Sequence, residues 1–464
     1  MKKPAPDAEM SRKLRPFMKF WTLFSPEFIG QMQKITRLIR GDEAELARLN
    51  QEGDMMAGYE ACVLRWKTAH KHIALSIVVR LDEIRELEAK KKEHHRNREK
   101  TQKDECIASI ELKKLEIRVL RRTADALIWG MLGDEASSVR RLPIKADLDN
   151  LSKENIIDSL IAADELNKDP HRLAVVSDMS TFVHVGDLVM VSLQDGFQLV
   201  EVKTGTKNNE LYQAAEFGFT SGCPHFEENF LKDKPAKDSQ QFNRIKNQMI
   251  RAGNALEAIY TGKGYDNLMQ SPVVIEDNDY QAEFFSANII KLAEEIKSGK
   301  TWAIDVIDEC VYVGVYSETQ LGFVGFNSWV DGTAFNGKIT NINESFFDTL
   351  SRPFLSLNLP TELLTDIMAG KLLVVMCFDH EKFYERANAR YPGLFTLEEF
   401  PENTERHTHA DNTLHVGSKG IASLVEGMVS FVGNGFETRI LFDLQRPDNL
   451  IDWSYKRSDL KMKS

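Results

Sequence analysis

Three residues in one short apolar stretch carry the strongest chemical signal in the chain. They are Asp187, Glu201 and Lys203, within segment 185–205, VGDLVMVSLQDGFQLVEVKTG. Two runs rich in Val, Leu, Met and Phe meet there at Asp195-Gly196, a strong turn dipeptide, so the stretch predicts a β-hairpin. Asp187 opens the first strand, and Glu201 and Lys203 close the second. Glu201 and Lys203 are two apart and share a face. Two registers are open. A two-residue loop at Asp195-Gly196 pairs Leu188 with Lys203 and sends Asp187 to the opposite face. A three-residue loop, Gln194-Asp195-Gly196, pairs Leu193 with Phe197 and sets Asp187 opposite Lys203, with Glu201 one step along. The second register gathers two carboxylates and an amine at one hairpin end.

Such a grouping suits metal-dependent phosphodiester hydrolysis. Asp187 and Glu201 are the expected metal ligands, because two carboxylates hold a hard divalent cation such as Mg²⁺ (or Mn²⁺) while leaving sites for water and phosphate. The cation lowers the pKa of bound water and neutralises phosphate charge. Lys203 orients the nucleophile or stabilises developing charge.

Asp187 followed by Glu201-Val202-Lys203 resembles the PD-(D/E)XK nuclease superfamily, in which an Asp on one strand precedes Asp/Glu-X-Lys on the next. Gly186 stands where that pattern has Pro. The resemblance covers about residues 152–262. It implies an α/β (α+β) chain with a restriction-endonuclease-like central mixed sheet flanked by helices. It also implies an endonuclease acting on DNA in preference to RNA. A nuclease core with large unassigned additions is similar to a bacterial restriction or phage-defence effector, an analogy of architecture.

The elements that must position these residues follow from periodicity. Ser152 precedes an amphipathic helix with Ile156, Ile157, Leu160 and Ile161 on its buried side, and 172–176 reads as a strand. Helix, strand and hairpin follow in the order the resemblance implies. In that superfamily the first helix often contributes an acid, for which Glu154 and Asp158 are candidates, as is Asp178 after the strand. Segment 208–237 reads as irregular and polar. From 239 to 260, Phe242, Ile245, Met249, Ala252, Leu256 and Ile259 form a buried helical stripe. Gln241, Arg244, Gln248 and Arg251 line its border. The resemblance implies that they contact phosphate or the metal's water, as nucleic-acid-binding residues.

Around this core, residues 1–150 read as a helical region. Segment 59–129 contains no Gly or Pro, and its apolar spacing lapses between 88 and 105. That pattern predicts two long helices in an antiparallel hairpin with a charged, solvated tip, or one very long helix. His94 and His95 are adjacent, so on a helix they diverge. The nuclease core is expected at 151–265 and a linker at 262–278. A C-terminal α/β domain of unknown role follows at 279–464, with strands at 302–316, 372–378 and 438–444 and helices at 282–297, 361–368 and 423–428. Asp305, Asp308 and Glu309 read there as edge or solvent-facing acids. His407, His409, Asp411 and His415 lack a recognised ligand spacing.

Composition bounds the rest. A hydrophobic share of 42% and a charged share of 28% describe a globular chain with no membrane-spanning run. The first residues carry no apolar signal core, so secretion is not expected. Five scattered cysteines suit a reducing cytoplasm. A net charge of −11 weighs against nucleic-acid binding by the chain as a whole, although a local basic groove is enough for an enzyme. Walker A, GxSxG and HExxH motifs are absent. The N-terminal helices are expected to serve homo-oligomerisation, as a coiled coil, or to bind a partner subunit. The rival reading is a non-enzymatic oligomeric sensor or scaffold whose C-terminal domain binds a ligand.

Overall fold

The computed structural model describes residues 15–41, 48, 54–143, 151–183, 185–202, 206–223, 225–275, 281–332, 337–400, 412–425 and 428–463. The chain forms two compact units, one of Leu38–Asn278 and one of Met1–Arg37 with Asp279–Ser464. The division expected at residue 150 falls inside the first unit, because the helical hairpin supplies a surface on which the strands pack. The start of the chain, expected with that hairpin, instead belongs to the C-terminal unit. Helix α1 is Pro26–Arg40.

In the unit of Leu38–Asn278, α2 (Met55–Arg96) and α3 (Lys100–Met131) pack as an antiparallel hairpin. The turn at Asn97-Arg98-Glu99 lies in the charged run, with Arg98 left-handed at φ +61°. Asp54 caps α2 by accepting the Ala57 N–H at 3.0 Å. Apolar residues at helical spacing fill the seam, among them Ile73 and Ile77 on α2 and Ile117, Leu120 and Leu127 on α3. The Ser152-capped helix is α4 (Lys153–Leu166). The strands β1 (Arg172–Val176), β2 (Leu188–Ser192) and β3 (Gly196–Val200) pair in that order, antiparallel throughout.

The expected central sheet was mixed. Among the described residues it is a three-stranded antiparallel one, and its outer edge shows why it stops. The Ala174 N–H donates to Asn167 Oδ1 at 2.7 Å and the Ala174 carbonyl accepts from Asn167 Nδ2 at 3.0 Å. The Val176 N–H donates to His70 Nε2 at 3.1 Å. Side chains from the end of α4 and from α2 thus occupy the backbone groups that a further strand would need.

Segment 208–237, expected to be irregular, is mostly helical: α5 is Thr206–Ser221 and α6 is Phe226–Leu231. Leu211, Ala214 and Ala215 of α5 bury against Phe242 and Ile245 of α7 (Ala236–Thr261). The expected linker holds a second hairpin, β4 (Lys263–Asp266) with β5 (Ser271–Val274). Its Asp266 carboxylate pairs with Arg141.

In the other unit, β6 (Trp302–Ile307), β7 (Val311–Tyr316), β8 (Gly337–Asn341) and β9 (Leu373–Asp379) form an antiparallel sheet in the order β6-β7-β9-β8. Segment 302–316 is therefore two strands, divided by a turn in which Asp308 and Glu309 are left-handed, at φ +46° and +62°. Asp308 is no solvent-facing acid. It is buried, pairs with Arg446 and accepts the Asp448 N–H at 3.1 Å. Helices α8 (Ser286–Lys297), α9 (Thr319–Asp331), α10 (Thr361–Met368) and α11 (His380–Arg390) accompany this sheet.

A second sheet contains β10 (Thr396–Glu399), β11 (His415–Val416), β12 (Lys419–Val425) and β13 (Met428–Phe431). Of the helix expected at 423–428, the described residues 423–425 and 428 are strand, and the strand expected at 438–444 is largely helix α12 (Gly435–Phe442). The chain ends in α13 (Pro447–Lys463). Phe17, Phe20 and Trp21 are buried in this unit. Trp21 stands edge-on to Phe346, and its indole N–H donates to Asn343 Oδ1 at 3.1 Å.

Candidate active site

The hairpin turn decides which acids meet. β2 and β3 pair Leu188 with Val200 and Ser192 with Gly196, so the loop is Leu193-Gln194-Asp195. It starts one residue earlier than the expected three-residue loop, for two local reasons. Ser192 Oγ accepts the Asp195 N–H at 2.9 Å and closes the turn before the glycine. Gly196 then takes φ +69° beneath Tyr260 of α7, whose hydroxyl donates to the Phe197 carbonyl at 2.6 Å. A Cβ on Gly196 would lie 2.8 Å from that hydroxyl. The pairing still has the parity of the three-residue register. The ladder ends at Leu188 and Val200, so Asp187 and Glu201 each stand one residue beyond the last pair, with the Asp187 N–H turned to the Val200 carbonyl. Lys203 itself lies outside the described residues.

Asp187 is tied at three points. Its N–H donates to the Val200 carbonyl at 3.0 Å, its carbonyl accepts the Ser177 N–H at 2.9 Å, and its Oδ2 accepts the Val202 N–H at 2.7 Å. Gly186 before it has φ +77°, a conformation closed to proline, whose ring fixes φ near −65°. The departure from the Pro-Asp pattern is therefore written into the backbone.

Asp178 sits in the 3₁₀ turn Ser177–Met179 that follows β1. The protein crowded around its carboxyl holds its pKa above the ordinary aspartate value. The charge of Asp187 adds to the rise and Arg121 opposes it. Glu201 is half-buried. Burial raises the Tyr212 phenol of α5, and the charges of Glu216 and Glu201 add to that. The acids of α4 play no part here. Glu154 sits at the helix N-terminus, accepting from Ser152 Oγ at 2.9 Å and facing Arg85 at 3.4 Å, and Asp158 is exposed. Of the three further acids singled out in sequence, Asp178 is the one electrostatically joined to Asp187.

A buried network that the sequence reading passed over holds this segment in place. Asp125 of α3 is fully buried. Its Oδ1 accepts from Ser180 Oγ at 2.6 Å and the Thr181 N–H at 2.8 Å. Its Oδ2 accepts from Thr181 Oγ1 at 2.5 Å and Arg122 at 2.9 Å. Arg121 donates to the Ser180 carbonyl. The signal was present as Arg121-Arg122 and Asp125 inside an otherwise apolar helix end, charges that a core tolerates only when paired.

The polar border of α7 forms the second wall. A cavity of about 550 Å³ is lined by Val185, two residues before Asp187, and by Gln240, Asn243, Arg244, Asn247, Gln248 and Arg251. Three of the four residues proposed from sequence are there. Gln241 is not among the lining residues, and Gln240, Asn243 and Asn247 were missed although they recur at steps of three and four on the same face. The described lining holds two guanidiniums and four carboxamides and no acid.

The chemistry of the donors fits a hard divalent cation. Asp187 and Glu201 offer carboxylate oxygens, and Mg²⁺ takes one or two carboxylates with water and phosphate rather than a full protein cage. The pKa of Asp178 is raised first by burial, and the charge of Asp187 adds to it. Among the described residues no group of three or more His, Cys, Asp or Glu side chains is arranged to hold a metal ion. His407, His409 and Asp411 lie outside the described residues, while the His415 ring centroid is 5.6 Å from that of His380. No described helix is long and apolar enough to cross a membrane. No family model matches the chain, no curated protein matches it, and no solved structure matches it.

Proposed function

We propose that the chain is a metal-dependent endonuclease with a restriction-endonuclease-like core, cutting phosphodiester bonds in DNA in preference to RNA. The observation that carries this reading is that Asp187 and Glu201 flank the last residue pair at one hairpin end, near a cavity that Val185, Arg244 and Arg251 line. Asp187 and Glu201 would hold Mg²⁺ or Mn²⁺. When bound, the cation would supply charge neutralisation at the phosphate and a more acidic water. The chain's own contribution is positional. The Val202 N–H fixes one Asp187 oxygen, the Ser177 N–H fixes the Asp187 backbone, and Arg244 and Arg251 offer charge-assisted contacts to a phosphate backbone. Lys203 follows Glu201 by two residues and is assigned the alignment of the attacking water. A role as a cytoplasmic bacterial restriction or anti-phage effector is the setting this chemistry suits.

A second reading, an oligomeric scaffold built on α2 and α3, is favoured by the exposed Leu64, Leu75 and Val79 of α2. Supercoiled plasmid incubated with Mg²⁺, Mn²⁺ or EDTA separates the two. The nuclease nicks DNA only with the metal and loses that activity in Glu201→Ala and Lys203→Ala. Nicking that persists in both variants, or that survives EDTA, refutes the assignment.

A further inference from the structure

The lining of the α7 cavity has an unusual chemical make-up. Residues 240, 243, 244, 247, 248 and 251 recur at helical spacing along one face, over about 16 Å of helix. The opposite face buries Phe242 and Ile245, while beyond Arg251 the same face is covered at Ala255 and Ala258, the latter against Gly264 of β4. Carboxamides bond phosphates as well as base edges, but a face that only gripped phosphates would gain most from cations, and here four carboxamides outnumber two guanidiniums. A face that bound single strands without reading them would present aromatic platforms, and the described lining has none. Asn and Gln hydrogen-bond adenine bidentately and Arg does so with guanine in the major groove, which is wide enough to admit an α-helix.

The helix is also indexed to the acids. Tyr260 of α7 bonds the backbone of β3 at Phe197, and Val185 of the segment leading to Asp187 closes the other side of the cavity. A base pair seated against α7 would therefore lie at a fixed distance from the hairpin end. We infer that α7 is a recognition helix: Gln240, Asn243, Asn247 and Gln248 read base edges in the major groove of duplex DNA, so that the duplex is engaged at a preferred sequence. This rests on the nuclease reading for its consequence, but the binding it describes is measurable without cleavage.

The test uses the full chain carrying Glu201→Gln, in EDTA, with a pool of randomised duplexes selected over several rounds and sequenced. Fluorescence anisotropy then compares the enriched duplex, a scrambled duplex and the separated strands. The expected result is an enriched motif of a few base pairs, bound at least about 10-fold more tightly than the scrambled duplex and more tightly than either strand. Asn243→Ala and Asn247→Ala should each erase about 10-fold of that preference while leaving the salt slope unchanged. Arg244→Ala or Arg251→Ala should lower the slope by about one if the side chain also meets a phosphate. These side chains are on the exposed half of α7, so thermal midpoints should stay close to the parent's and separate lost reading from lost folding. Equal affinity for enriched and scrambled duplexes, tighter binding of single strands, or no DNA binding overturns the inference. A chain that selects a motif yet never cuts with Mg²⁺ refutes the nuclease reading and leaves the recognition helix standing. One that cuts without selecting a motif does the reverse.

Discussion

Asp125→Ala is the perturbation whose size the structure specifies best. The Asp125 carboxylate is fully buried and accepts four hydrogen bonds, from Ser180 Oγ, the Thr181 N–H, Thr181 Oγ1 and Arg122. Removing one partner of a buried ion pair costs about 3–5 kcal/mol, mostly because the other polar groups stay desolvated. In a unit of about 240 residues, each kcal/mol moves the thermal midpoint by about 2–4 °C, so the expected loss is about 6–20 °C. Calorimetry of the full chain should show the shift in the transition of the Leu38–Asn278 unit, with the other transition nearly unmoved. The double replacement Arg122→Met with Asp125→Leu removes both charges and should cost less than Asp125→Ala alone. Because Ser177 and Ser180 belong to the segment that holds Asp187, metal-dependent nicking should fall as well. A single variant within about 2 °C of the parent would refute the reasoning. So would a double variant as costly as the two single replacements together.

Two further outcomes follow from single residues. His70 is buried with Nε2 accepting the Val176 N–H, and burial pushes its pKa down to about 4. Its folded value lies below its unfolded one, so its contribution is complete above about pH 6.5 and is lost as pH falls toward 4, about 3 kcal/mol in all. Urea titrations at pH 7.5 and 4.5 should show that loss, and His70→Gln should flatten it; equal slopes in both proteins would contradict the assignment. Gly186→Pro brings the sequence closer to the resembled pattern, yet at φ +77° it should destabilise by more than about 1 kcal/mol and impair nicking. A stabilised or more active Pro variant would show that the backbone there is not what the structure describes.

The legible parts of the chain were those with a strong period. The α2–α3 hairpin, α4, β1 and α7 stand where apolar spacing put them, but Ile157 and Ile161 of the expected α4 stripe are exposed and in α7 only Phe242 and Ile245 of the expected stripe are fully buried. The β-hairpin was visible from Asp195-Gly196. Its register was not, because Ser192 and Tyr260 set the turn, one through a side-chain bond to the loop and the other from more than sixty residues away. Helix α5 was missed because its buried positions are Leu211, Ala214 and Ala215, too small and too few to mark a stripe among polar neighbours. Segment 438–444 looked like a strand because Ile440, Leu441, Phe442 and Leu444 are all apolar and buried, so nothing in the pattern distinguished helix from strand. At the hairpin end the sequence drew attention to Asp187 and Glu201, but not to Asp125. Its local partner Arg122 is visible as a charge in an apolar helix end, but Ser180 and Thr181 lie some 55 residues further along the chain, and sequence spacing carries no trace of them.

The arrangement of the two units along the chain sets a timetable for synthesis. Phe17 finds Phe323 and Phe326, and Phe20 and Trp21 find Asn343, Phe346 and Phe354, only after the whole of Leu38–Asn278 has been made. The partners lie about 305–335 residues further along, so at about 5–20 residues per second those aromatic side chains wait about 15–65 s before a surface exists to cover them. During that interval the intervening unit can fold by itself. The start of the chain remains a sticky, unpartnered tail, open to chaperones that hold exposed aromatic segments and to association with other nascent chains. Swapping the order of the gene's segments, so that the residues before Leu38 are made just ahead of those after Asn278, would shorten that wait.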